Sequence, residues 1–186
     1  MALYSSRVRY SHVAVTFHWV IALLIFTLFP LGLYMAAQDI NPQVLKLYSL
    51  HKSLGITVLT LAVLRIAWRL FNPPPPLPSA MPMIQKIASY VVHGLLYLGM
   101  LAIPLTGWAA SSSAGFAVAP FGLFTLPNIA PKDHDLHELM GELHEIFAYL
   151  VMALVVLHLA AALYHQFVQK DNLLARMSFF GPSRIG

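Results

Sequence analysis

Residues 144–158 read HEIFAYLVMALVVLH, two histidines separated by thirteen residues of which only Glu145 is charged. Fourteen steps of an α-helix make four turns less about 40°, so His144 and His158 present nearly one face. The rise between them is about 21 Å, most of a hydrocarbon core about 30 Å thick. Ionisable side chains at membrane depth are costly and mark functional positions. Two on one face, one towards each leaflet, suit two stacked prosthetic groups, each needing a partner ligand from another helix at its own depth.

The rest of the chain supplies the membrane setting. Of 186 residues, 59% are hydrophobic and 10% charged, with mean hydropathy +0.71. A soluble domain carries about 25% charged residues, so a water-soluble enzyme is excluded in favour of an integral membrane protein. The net charge of +4 comes from eleven basic residues that form no basic stripe, so a nucleic-acid partner is not expected. There is no cysteine, which rules out disulfides, thiolate nucleophiles, iron–sulfur ligation and covalent c-type haem. Nine histidines against seven acidic residues are what remains to explain.

Charge-free runs place four spans, at about 13–37, 48–71, 84–110 and 136–168, in a single membrane domain over 1–186. The fold class is an all-α, integral membrane four-helix bundle. Six prolines in 72–82 make a stiff linker. The apolar but Pro/Gly/Ser-punctuated stretch after the third span reads as a loop in the interface. The N-terminus, the second-to-third linker and the C-terminus carry Arg7, Arg9, Arg65, Arg69, Lys86, Lys170, Arg176 and Arg184. The two opposite loops carry Lys46, Lys52 and Lys132, with six of the seven acids. By the positive-inside rule both termini are cytoplasmic.

On this topology His51 opens span two at the outer depth of His144, and His18 lies in span one at the inner depth of His158. Bis-imidazole ligation needs two trans nitrogens and leaves the rest to a porphyrin, whereas zinc wants about four clustered protein ligands. Two non-covalent b-type haems follow, His51 with His144 outside and His18 with His158 inside. Gly55, Gly94 and Gly141 lie near histidines and offer room for a ring; small-residue helix packing accounts for each equally. His93, at about the depth of His18, is the rival inner ligand, with lining a quinone pocket or bonding a propionate as its other roles. His134 and His137 read as a solvated turn, and His12 and His165 as boundary residues. Arg9, Arg65, Arg69 and Lys52 are candidates to pair with haem propionates.

Several motifs recur together. They are Tyr10-Ser11 with His18-Trp19; Leu50-His51-Lys52-x-x-Gly55 with Arg65-x-x-Trp68-Arg69-Leu70; His93-x-x-Leu96-Tyr97 with Pro104-x-x-Gly107-Trp108; and Leu143-His144-Glu145 with His158, closed by Lys170-Asp171-Asn172-x-Leu174-x-Arg176-Met177. In this order and over nearly the whole chain, the set resembles the bacterial cytochrome b561 family. More distantly it is similar to the cytochrome b subunits of membrane-bound nickel–iron hydrogenases and formate dehydrogenases. The resemblance implies two b haems in a four-helix bundle of the bacterial inner membrane, with ligands on spans one, two and four, which fall on His18, His51, His144 and His158. It also implies electron transfer with the quinone pool, ubiquinone as acceptor, and superoxide as one outer-face donor. The alternative is a haem-bearing membrane anchor relaying electrons for a separate periplasmic or peripheral protein. Steering of superoxide is mixed, since Lys46 and Lys52 flank His51 while Asp133, Asp135, Glu138, Glu142 and Glu145 crowd the same face. Arg9, Lys52 and His93 are the candidate propionate, quinone or donor-site contacts; no residue is singled out as catalytic.

Overall fold

In hydrocarbon every backbone N–H and C=O must be satisfied within the protein, which leaves helices as the way for such apolar runs to cross. The computed structural model describes residues 9–179; Arg7 and Arg184 lie outside them. The helices are α1 (His12–Ala36), α2 (Pro42–Phe71), α3 (Met83–Ser113) and α4 (His134–Tyr164). All four are long and apolar enough to cross a membrane, and no strand occurs among the described residues.

Cap chemistry sets the boundaries more than hydropathy does. Asn41 Oδ1 accepts from the Gln43 and Val44 amides at 3.0 Å each, and Pro42 takes the first helical position, where its missing N–H costs nothing. Helix α2 therefore begins at Pro42, ahead of the hydrophobic run near Tyr48. Helix α3 continues through its serines to Ser113, whose hydroxyl donates back to the Ala109 carbonyl at 2.8 Å. Asp133 caps α4, accepting from the Leu136 amide at 2.8 Å. Ser11 is fully buried and serves two helices. Its Oγ accepts from the Ala14 amide at 3.2 Å, starting α1, and from Trp68 Nε1 at 3.1 Å, near the end of α2.

Helix α3 packs along α4, and α2 packs against both α1 and α3. The α3–α4 seam is close because Gly99 faces Val151; a Cβ on Gly99 would run into the Val151 side chain. Ile21, Ala62 and Met100, from α1, α2 and α3, form the buried centre, with Ile25, Leu61, Tyr97 and Leu101 packed around it. Helix α4 adds nothing to that centre. No comparable backbone packing joins α4 to α1 or to α2 among the described residues; they meet through side chains, and the wider interval between them is called the slot.

Connecting segments pack back on the bundle at both ends; the end bearing the α1–α2 and α3–α4 loops is called outer, and the end bearing the α2–α3 linker inner. On the outer side the loop 114–133 folds back over α2, with Phe121 N donating to Ser53 Oγ at 2.9 Å and Lys52 Nζ to the Ala117 carbonyl at 3.2 Å. On the inner side α4 ends in a single π turn (His165–Gln169), and Lys170 and Asn172 adopt positive φ, 55° and 56°, to reverse the chain. The following strap is tied to three other places. Trp19 Nε1 donates to Met177 O at 2.9 Å, Arg9 to Ser178 O at 2.9 Å, and Arg176 to Pro76 O in the proline linker at 2.8 Å.

Ser11→Ala removes the α1 cap and leaves the Trp68 indole N–H without its acceptor, an expected loss of about 1–3 kcal/mol. Thermal unfolding in detergent should show a lower midpoint for the variant; an unchanged midpoint would contradict the double role.

Candidate functional site

The slot is lined at two depths by imidazoles. On the outer side His51 of α2 faces His144 of α4 with ring centroids 6.1 Å apart. On the inner side His18 of α1 faces His158 of α4 at 6.2 Å. A metal–imidazole bond is about 2.0–2.1 Å and a ring centroid stands about 1.1 Å behind its nitrogen, so two rings trans across one metal have centroids about 6.3 Å apart. Both pairs fit that spacing. His93 lies 5.1 Å from His158, too close for a metal shared in the same way. Its Nδ1 donates to the carbonyl of Ser89, one turn earlier, at 2.7 Å.

The space around the outer pair also fits a flat, bulky group. A Cβ added at Gly55, one turn after His51, or at Gly141, just under one turn before His144, meets nothing within 4 Å. The ring backs, by contrast, are tight. A Cβ at Gly107 would stand 2.9 Å from His144 Nδ1, and one at Gly32 would stand 3.3 Å from His51 Cε1. His144 Nδ1 donates to the Ile103 carbonyl at 2.8 Å. That bond keeps the proton on Nδ1 and leaves the Nε2 lone pair towards the slot, the usual state of a ligating histidine. His51 Nδ1 is buried without a hydrogen-bond partner among the described residues.

The inner end is cationic and aromatic. Arg65 Nη2 lies 3.3 Å from His18 Nδ1. Arg65 and Arg69, one turn apart on α2, both sit over the Tyr97 ring, at 5.3 and 5.5 Å from its centroid. Neither makes a carboxylate ion pair among the described residues. A small cavity beside them is lined by Tyr10, Arg65, Trp68, Arg69, Tyr97 and Met177. Burial pushes the Tyr10 phenol above its ordinary range, with Arg69 pulling the other way, so the hydroxyl keeps its proton at neutral pH.

The remaining histidines do not converge on the slot. His134 is exposed and pairs with Glu138 at 3.7 Å. His137 turns to the Ala110 carbonyl at 2.9 Å, so the two do not form a common site. His165 bonds Asp171 at 2.6 Å, inside the C-terminal reversal, and His12 packs on Phe179. Sequence reading passed over Gly32 and the Ile103 carbonyl. The spacing Pro104-x-x-Gly107 marks the right part of α3, but only the tertiary contact shows that His144 occupies it.

Fold and site together define a helical membrane protein with two facing imidazole pairs between its helices. The chain belongs to the prokaryotic cytochrome b561 family, whose model matches residues 9–179. It is 35% identical over 179 residues to cytochrome b561 homolog 2 of Escherichia coli, covering 95% of each chain. It is 33% identical over 172 residues to the probable superoxide oxidase CybB of Yersinia pestis, covering 91% of this chain and 95% of that one. A cytochrome b562 of Cereibacter sphaeroides is 30% identical over 175 residues, 90% of this chain and 94% of that one. The protein is thus a multi-pass bacterial membrane cytochrome with b-type haem and an oxidoreductase role in electron transfer.

Gly107→Ala should lower haem content per chain, because its Cβ displaces the His144 ring from the Ile103 carbonyl. Gly94→Ala, where an added Cβ meets nothing within 4 Å, should leave haem content unchanged. A haem assay of the purified variants checks both, and equal content in the two would contradict the steric reading.

Proposed function

We propose that the chain holds two non-covalent b haems and carries electrons from superoxide at its outer face to ubiquinone. His51 and His144 ligate the outer iron, His18 and His158 the inner one. The observation that carries this reading is the matched spacing, 6.1 and 6.2 Å, of two facing imidazole pairs across the slot between α4 and the helices α1 and α2. Bound haem supplies one-electron exchange; the protein fixes its orientation and tunes its potential.

The chain's own groups divide the remaining work. Ile103 holds the His144 proton on Nδ1, which keeps Nε2 free for iron. Gly32 and Gly107 set how closely the outer rings approach α1 and α3. Lys52, next to His51, offers positive charge at the outer rim to an arriving anion, and the relative named a probable superoxide oxidase supports that choice of donor. At the inner end Arg9 and Arg69 suit propionates, and the cavity by Tyr10 and Trp68 suits a quinone head. The Tyr10 hydroxyl is a proton-bearing donor there. His93 borders the inner pair as a quinone or propionate contact rather than as a ligand. The distribution of Arg and Lys supports an inner-membrane protein of one domain with both termini in the cytoplasm.

A second reading, a haem-bearing anchor for a separate redox partner, rests on the outer loop. Phe116 and Leu123 are 65% and 78% exposed there on an otherwise ordered segment, an apolar surface of the kind that docks a protein or lipid.

The purified protein should show a reduced b-type α-band with two haems per chain; a colourless protein would overturn the ligand scheme. His51→Ala and His144→Ala should lose one and the same haem, and His18→Ala and His158→Ala the other. Loss on His93→Ala with His18→Ala harmless would reassign the inner pair. Mixed with superoxide and a soluble quinone, the protein should reduce the quinone with no other protein present, whereas absence of turnover favours the anchor.

A further inference from the structure

The two imidazole pairs have opposite electrical surroundings. In the outer pair, His144 Nδ1 donates to a carbonyl at 2.8 Å. Such a bond makes the imidazole a stronger donor to iron and stabilises the oxidised metal. Glu142 and Glu145 flank His144 in sequence and lie exposed on α4. In the inner pair, His18 Nδ1 meets the Arg65 guanidinium at 3.3 Å. A guanidinium only donates. When Nε2 is held by iron, Nδ1 carries the proton, and a cation then stands where His144 has an acceptor. Arg69 shares the Tyr97 ring with Arg65, and Arg176 is near enough to act on Tyr10 with both of them. No carboxylate pairs with Arg65 or Arg69 among the described residues. Positive charge beside an iron favours its reduced state, which carries one positive charge fewer.

We propose that Arg65 makes the inner iron the electron-attracting one of the two, while the Ile103 carbonyl makes the outer iron the electron-releasing one. This rests on the two-haem reading. The step is a single electron passing from the outer iron, which is oxidised, to the inner iron, which is reduced, with no bond made or broken and no proton moved. Lys52 acts against the bias, being next to His51, but its amine is drawn to the loop carbonyl of Ala117. The Arg65 guanidinium stands 3.3 Å from the His18 ring itself, close enough to act through its charge. Arg65 is therefore a positioning residue for the electron, acting through His18.

The test is an equilibrium redox titration of the haem-loaded protein, followed at the α-band. The wild type should give two midpoints. Arg65→Gln should lower the higher midpoint by at least a tenfold change in the reduced-to-oxidised ratio, 59 mV for one electron, and leave the lower one in place. Arg65→Lys should retain most of the higher midpoint. Arg69→Gln, which leaves the His18 contact intact, should shift the same midpoint less. Electron paramagnetic resonance of the oxidised protein should show one of two low-spin signals altered in Arg65→Gln. A two-haem protein in which Arg65→Gln moves neither midpoint, or moves the lower, overturns the proposal. A preparation with fewer than two haems per chain overturns the two-haem reading itself, and its haem content tells the two failures apart.

Discussion

The arrangement depends on the seam between α3 and α4. Gly99 lets α3 approach Val151 so closely that no side chain could replace its hydrogen, and the Ile103 carbonyl accepts the His144 Nδ1–H a turn further along α3. These contacts hold α4 in place from one side. From the other side, across the slot, the approaches come from side chains, the two histidine pairs and Phe29 on Tyr149 among them. A helix held along one edge leaves an opening whose width is set by its partner, not by what fills it. Whatever binds in that opening joins α4 to α1 and α2, so binding and completion of the bundle are thermodynamically linked.

Prolines within membrane helices take their sense from the same seam. Pro104 lies within α3 just after Ile103, and Pro30 lies within α1 two residues before Gly32. Broken backbone is tolerated at depth only where other groups satisfy it. Near Pro104, though not at the Met100 carbonyl whose helical donor the proline removes, the Thr106 hydroxyl donates to the Ala102 and Ile103 carbonyls at 2.9 Å each, and His144 adds a donor to Ile103. The turn at the proline thus presents an acceptor to a site residue. In both helices a glycine follows the proline closely and backs an outer-pair histidine, so the two halves of the outer site are built alike although α1 and α3 share little sequence.

Much of this was legible in residue order, and the limits have physical causes. Long charge-free runs announce spans because hydrocarbon penalises charge so heavily. The start of α2 was obscured because Gln43 and Lys46 dilute hydropathy, although Asn41-Pro42 carries the capping signal. The separation of His144 from His158 followed from helical rise, and their matching with His51 and His18 from where the spans lie. The rank of His93 did not, since a ring's distance from its neighbours is a tertiary property; only the 5.1 Å approach to His158 and the bond to Ser89 separate it from the facing pairs. Gly32 and the Ile103 carbonyl carry no local pattern at all, because their role exists only once another helix lies against them.

The C-terminal strap has a consequence for biogenesis. Its partners, Arg9, Tyr10, Trp19 and Pro76, all precede it in the chain. Synthesis runs from the N-terminus, so α1, α2 and α3 can assemble while α4 and the strap are still on the ribosome. The slot's fourth wall arrives only with α4, and its inner lid only when the last turn is free to reach back to the first residues. Until the strap is made, that end of the slot lacks its ties to Arg9, Trp19 and Pro76, which gives a large prosthetic group a period of easier access.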